Sequence, residues 1–455
     1  MRPPAIVRPD GVWVEVDRAA LGEVRDPLPK EFRAYRLDLS ALTKILATAP
    51  PESTGSGAPP DPVQMFIPLP DGTFAPVAVK QSPVVGGELE LQYPGITTFA
   101  FNGTQDGAIS GRATLTGTSF QAILRPPSDF ARVTPLTTST GTFYLSFLHR
   151  DRTDGADDFR HRHDHPREPV PVPAATHAQS HDPESHSGSP LFEVLGLQVG
   201  GTLRQFRLAA AATGEYYQAM AGPNGATDVF NAIVAEVNNA NMVFEAEFSI
   251  RMVLTVAILY LDPSNDPYST VAFDEACTTR QENVAAINNV IDAADYDIGF
   301  AFNQGTGFGC AWYVVCLADK ARGAGLINTA LTPGSSTGLL AHEMAHQLGA
   351  RQTFSTNTGS CGNPGEFNQP SAFEPGSGST ISSYLGACAP NNVDTDVSTG
   401  AVPAGFYYHA RTFEEIISNI TSGSGTCGSS SAVGNSAPAV MPVPITPSRR
   451  ARLSR

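Results

Sequence analysis

The stretch Ala341-His342-Glu343-Met344-Ala345-His346-Gln347-Leu348-Gly349 sets two imidazoles four residues apart with a carboxylate between them. In an α-helix, positions i and i+4 share one face, so His342 and His346 can each aim a ring nitrogen at a single metal ion. Glu343 is rotated off that face and is placed to hold water rather than metal. This is the H-E-x-x-H pattern of zinc hydrolases. Zinc brings the pKa of its water toward ~7, and a neighbouring carboxylate then takes the proton as the oxygen attacks a carbonyl. Gly349, three residues after His346, marks a helix end in left-handed conformation, where the chain turns back under the metal. The plainer alternative is a surface helix that happens to carry two histidines.

Outward from the motif, composition narrows the classes. A chain of 455 residues with 41% apolar residues exceeds one ordinary core and implies two domains plus linkers. The formal charge of −15 argues against nucleic acid or anionic membranes as partners, since both select basic patches. No apolar run approaches the ~18 residues of a membrane span. The start, Met1-Arg-Pro-Pro-Ala-Ile-Val, lacks the apolar core of a signal peptide, so an export signal is expected to lie outside this chain. All six cysteines fall between Cys277 and Cys427. An even set confined to the motif-bearing segment reads as disulfides formed in an oxidising compartment, with buried thiols or a second zinc site as alternatives.

The first ~150 residues read as β-rich. Two strands meet at the turn Pro70-Asp71-Gly72, others are expected at 97–102, 108–116, 120–124 and 142–147, and one helix at 39–47. Residues 151–195 turn to Asp, His, Pro and Ser, with His161, His163, His165, His177, His181 and His186, and read as an exposed linker, with metal binding by the histidines as the alternative. From 196 to 427, strands alternate with helices: strands at 203–212, 250–261 and 296–302, helices at 228–244 and 281–294. The 228–244 helix is read as amphipathic on Val229, Ile233, Val237 and Val243. The motif helix is expected to start at Ser335 or Ser336 as its cap and run to Leu348. A last helix at 412–419 opens with the capping box Thr412-Phe-Glu-Glu415. Residues 428–455, rich in Ser and Pro, read as a tail without a core.

Two stretches together resemble the metzincins, and within them the bacterial secreted reprolysin-like zinc metalloproteases. The family helix reads like HEMGHQFGANHTF and its later turn like YEPGSGSTIMSYAGIC; here residues 342–354 read HEMAHQLGARQTF and residues 373–388 read FEPGSGSTISSYLGAC. The superfamily pattern is H-E-x-x-H-x-x-G-x-x-H followed by a Met-turn. Gln352 stands at the third metal ligand and Ser382 at the Met-turn methionine. A Gln carbonyl oxygen is a poorer partner for Zn²⁺ than an imidazole nitrogen. Asp297-Ile-Gly-Phe300 likewise carries Phe where the family shows His.

The resemblance implies an α+β, metzincin-like catalytic domain preceded by a β-rich, pro-region-like domain that chaperones folding or covers the cleft. With no cysteine there, a cysteine-switch block of zinc is excluded. It implies metal ligands His342, His346 and Gln352, with Glu343 as general base. Tyr384 is either a contact to the metal or oxyanion, or an aromatic packed under the helix. His409 is read as structural, with a substitute metal ligand as its alternative. Residues 305–316 match the edge strand that pairs with substrate, or form a simple loop. Disulfides Cys316–Cys427 and Cys361–Cys388 are implied, leaving Cys277 with Cys310. The functional expectation is a secreted, monomeric zinc endopeptidase acting on protein or peptide. Its alternatives are a pseudoprotease binding peptides in the same cleft and a structural protein reusing the scaffold.

Overall fold

The computed structural model describes residues 11–24, 27–52, 61–105, 109–125, 130–152, 199–269, 275–305, 309–327, 336–363, 365–393 and 406–433. The expected linker and most of the tail therefore lie outside the described residues. No described helix is long and apolar enough to cross a membrane.

The N-terminal part is one antiparallel sheet of nine strands. These are β1 (Trp13–Val16), β2 (Arg33–Leu37), β3 (Val63–Pro68), β4 (Phe74–Gln81), β5 (Thr97–Gly103), β6 (Ser110–Leu115), β7 (Phe120–Arg125), β8 (Ala131–Thr138) and β9 (Gly141–Leu148). The order is β1-β2-β9-β8-β7-β6-β5-β4-β3. Trp13 Nε1 donates to Phe66 O at 2.9 Å, so the sheet curls until its two edge strands approach each other. Inside the curl, Trp13, Tyr35, Ile67, Val77, Phe99 and Phe120 are buried, and helix α1 (Leu39–Leu46) adds Leu42 and Leu46. Burial of such aromatics is the main driving force for a sheet with so few helices. A short helix α2 (Glu88–Gln92) follows β4.

The second sheet is mixed. Strands β10 (Thr202–Ala212), β11 (Ile250–Leu259), β12 (Ile298–Gln304), β13 (Gly309–Ala311) and β14 (Gly323–Ile327) take the order β11-β10-β12-β14-β13. Only β13 runs antiparallel within that order, and it forms the edge opposite β11. Helices α3 (Gly214–Met220), α4 (Ala226–Phe248), α5 (Glu275–Asn288), α6 (Thr337–Gln347) and α7 (Ala410–Ser422) pack around it. The disulfides are Cys277–Cys310, Cys316–Cys427 and Cys361–Cys388, the pairs that the resemblance implied. The first ties α5 to β13, and so fixes the edge strand.

Four sequence expectations change. Ser429–Ala432 is not part of a coreless tail but a strand, β15, paired antiparallel to β10, where the Cys316–Cys427 bond delivers it. Helix α4 is buried on its polar side as well: Glu236, Asn238, Asn239 and Asn241 are all buried, with Asn238 bonded to the N-terminal sheet, Glu236 to the start of α6 and Asn241 to Met252 of β11. The Ser336 side chain makes no cap bond. Instead the Glu236 carboxylate accepts the Ser336 N–H at 3.0 Å and the Thr337 hydroxyl at 3.2 Å. The capping box at Thr412 also does not form. Helix α7 starts two residues earlier, with His409 Nδ1 accepting the Arg411 N–H at 3.0 Å, and Glu415 accepts the Arg351 N–H at 2.8 Å.

Candidate metal-binding active site

Helix α6 packs on α4 and under β13 and β14, which buries its whole motif: His342 and Glu343 are fully buried and His346 nearly so. Gly349 has φ of 111°, and a Cβ there would lie 3.0 Å from the Asn419 side chain, so only glycine lets the chain leave the helix at this point. Asn419 then donates to Leu348 O at 2.8 Å, pinning the helix end to α7. The turn carries the chain directly to Gln352.

The two rings stand nearly perpendicular with centroids 4.6 Å apart. His342 Nδ1 lies 2.5 Å from Ile381 O, and His346 Nδ1 lies 2.8 Å from Ala350 O. A carbonyl only accepts, so each Nδ1 carries its proton and each Nε2 offers a lone pair. Those two Nε2 atoms are 3.0 Å apart, and the Gln352 carboxamide end is 3.2 Å from one and 2.8 Å from the other. Ligand atoms of one tetrahedral zinc lie roughly 3.3 Å apart. As placed, the Gln352 nitrogen faces both imidazoles, while its buried Oε1 has no hydrogen-bond partner among the described residues. A half-turn of the carboxamide exchanges the two atoms and aims the oxygen at the same point. The three side chains thus fit a metal of borderline softness as two neutral nitrogens and one oxygen.

Glu343 faces the edge strand. A Cβ on Gly309 would sit 2.3 Å from Glu343 Oε1, so the absence of a side chain lets β13 lie against the carboxyl group. Burial pushes this carboxyl well above the usual range, nearby Glu366 pushes it further, and Arg280 opposes both. Tyr384 is fully buried, 6.1 Å from the His342 ring and 4.7 Å from Phe354 between ring centroids, and its hydroxyl donates to Glu366. The same packing includes Cys361 and Cys388. Ser382 accepts the Thr353 N–H and hydroxyl through its carbonyl, both at 3.0 Å. It therefore clamps the backbone beside Gln352. His409 stacks on Phe373 with centroids 5.8 Å apart, consistent with a capping role.

The structure brings His342, His346 and Gln352 to one point and sets Glu343 beside the edge strand. Sequence reasoning missed Glu366, Gly309 and the two carbonyls that orient the imidazoles. Gly309 lay in a Gly-rich stretch read as either an edge strand or a simple loop; Glu366 and the carbonyls carry no local signal.

Residues 230–353 match the model of a family described as Metallo-peptidase family M12B, Reprolysin-like. This segment is reprolysin-like. It takes in α4 from Phe230 on, all of α6 and Gln352, and stops short of the 373–388 turn. No curated protein shows a significant match to the chain.

Proposed function

We propose that the protein is a secreted zinc endopeptidase whose metal is held by His342, His346 and Gln352. The observation that carries this reading is the convergence of three donor side chains within 3.2 Å of one another, with both imidazoles fixed as Nδ1–H tautomers by Ile381 O and Ala350 O. Orientation of ligating histidines by such outer hydrogen bonds is the usual support of a metal site. A zinc ion supplies Lewis acidity, making water nucleophilic near neutral pH and polarising a peptide carbonyl.

The remaining work falls to the chain. Glu343 takes a proton from the attacking water and passes it to the leaving amine. The β13 edge pairs with an extended peptide backbone, which gives broad rather than sequence-specific binding. Gly309 brings that backbone against Glu343. Tyr384, with its hydroxyl held by Glu366, supports the His342 ring from below. Three disulfides and the family match suit an oxidising, extracellular setting, and the protein acts as a monomer.

Substituting Glu343→Gln keeps the side-chain volume and removes the base. Hydrolysis of an unstructured protein such as casein should fall by at least a hundredfold, with an unchanged circular-dichroism spectrum. Cleavage at the wild-type rate would reject this mechanism. One observation favours a second reading, a pseudoprotease that binds peptides without cutting them: with its nitrogen inward, Gln352 donates to both imidazoles and completes the site without metal.

A further inference from the structure

The contacts between the two sheets concern a different part of the molecule and do not depend on the zinc reading. Three neighbouring strands of the N-terminal sheet each send one arginine toward α4, and α4 answers with three glutamates. Arg112 on β6 lies 2.8 Å from Glu245, and Arg125 at the end of β7 lies 3.6 Å from Glu247. Arg132 on β8 faces Glu236 electrostatically, at the carboxylate that caps α6. Arg112 is only 2% exposed and is bonded on every side: Nε to Asn238 at 2.7 Å, and Nη2 to Ser82 O and Oγ at 3.0 and 2.7 Å. Asn238 returns bonds to Ala113 O and the Thr114 hydroxyl, both at 2.9 Å.

Apolar and backbone contacts run alongside. Leu254 N donates to Val84 O at 2.8 Å and Gly86 N to Leu254 O at 2.9 Å, so the 84–86 segment extends the second sheet beyond its β11 edge. Val84, Val85 and Leu89 belong to the same buried cluster as α4 and α6, and Tyr93 stacks on Phe230 at 3.9 Å. Met242 packs with Ile123 and Phe130. All of this lies on α4 and the β11 edge, while β13 is the opposite edge of the sheet.

We propose that the N-terminal sheet is a permanent half of the folded unit, docked behind α4, and not a detachable cover over the β13 edge. Aligned charges select the docked arrangement and the apolar strip holds it. Glu236, which holds the first turn of α6, lies on the same helix as Glu245 and Glu247. Cutting the chain between residues 152 and 199 would then leave one particle of two fragments.

The test uses the full chain with a site for a specific protease inserted between residues 160 and 190. After complete cleavage, gel filtration at low and high salt should return both fragments in one peak at equal stoichiometry, with a single thermal transition. Fragments that separate without denaturant would overturn the proposal. In a second chain, Arg112→Met, the cleaved fragments should dissociate at least ten times more readily, whereas Arg33→Met, on the exposed face, should match the parent. Equal dissociation for Arg112→Met and the parent would overturn the role given to the arginine row; if Arg112→Met does not fold, the parent chain alone decides the main claim. Neither result depends on whether the protein cleaves peptides.

Discussion

At the scale of single residues, the proposed zinc site turns on Gln352, which would set how tightly a metal is held. Its carboxamide occupies the position from which a third imidazole would bind, but it offers a neutral oxygen in place of a nitrogen lone pair. Replacing it by histidine should restore the stronger donor set without disturbing the backbone, since Thr353 is already clamped by Ser382 O. Gln352→His is expected to raise zinc affinity at least tenfold, measured by competition with a chromophoric chelator. An unchanged or lower affinity would mean that residue 352 does not face the metal. His342, Glu343 and His346 were legible in the sequence because the spacing on one helix turn is local geometry, whereas Gln352 was picked out only by the resemblance to the metzincin pattern. The carbonyls of Ile381 and Ala350 were not, because any residue type supplies a carbonyl and only the folded chain places it. Glu366 was equally silent: its meaning comes from Tyr384 and Glu343, which lie far from it in sequence.

At the scale of elements, α4 differs most from its sequence reading. Its apolar positions mark one face, but the middle of the helix is buried all round, and its polar residues there are interior partners of the N-terminal sheet, α6 and β11. Glu247 shows the consequence. Its side chain accepts the Tyr408 N–H at 2.9 Å, yet burial pushes its carboxyl up to about 7 from 4.5. The folded state therefore holds a proton that the unfolded chain releases above about pH 4.5, so this group's contribution to stability declines as pH rises from 4.5 toward 7 and is constant above. The upper bound on that loss is roughly 3 kcal/mol. Glu247→Gln keeps the acceptor and removes the titration, so its Tm should exceed that of the parent at pH 7.5 and match it near pH 4.5. An identical pH dependence for both proteins would contradict this. Strands β3 to β7 and β9 were visible as alternating apolar runs between turn residues. Strands β1, β2 and β8 were not, because β1 and β2 are short and carry charge and β8 contains Pro135, which masks a strand pattern until its neighbours are known.

At the scale of the whole molecule, the two sheets meet across α4, and the motif helix is held by α4, α7 and the turn beside Gln352. Glu236 caps its start, Asn419 of α7 pins its end, and the turn carrying Ser382 and Tyr384 lies beneath. A sequence can announce the motif and the broad change from β-rich to alternating composition. It cannot announce that Arg112 and Asn238 meet, since that contact spans 126 positions and rests on neither periodicity nor spacing. The central claim is that this frame presents two imidazoles and one carboxamide to a metal. Its most direct test is the metal content of the purified full chain, by elemental mass spectrometry, after dialysis into metal-free buffer, return of one equivalent of zinc and gel filtration. The account predicts close to one zinc per chain for the parent and a large loss for His346→Ala. A parent that retains no zinc would contradict it and leave Gln352 as the hydrogen-bonded closure of a metal-free site.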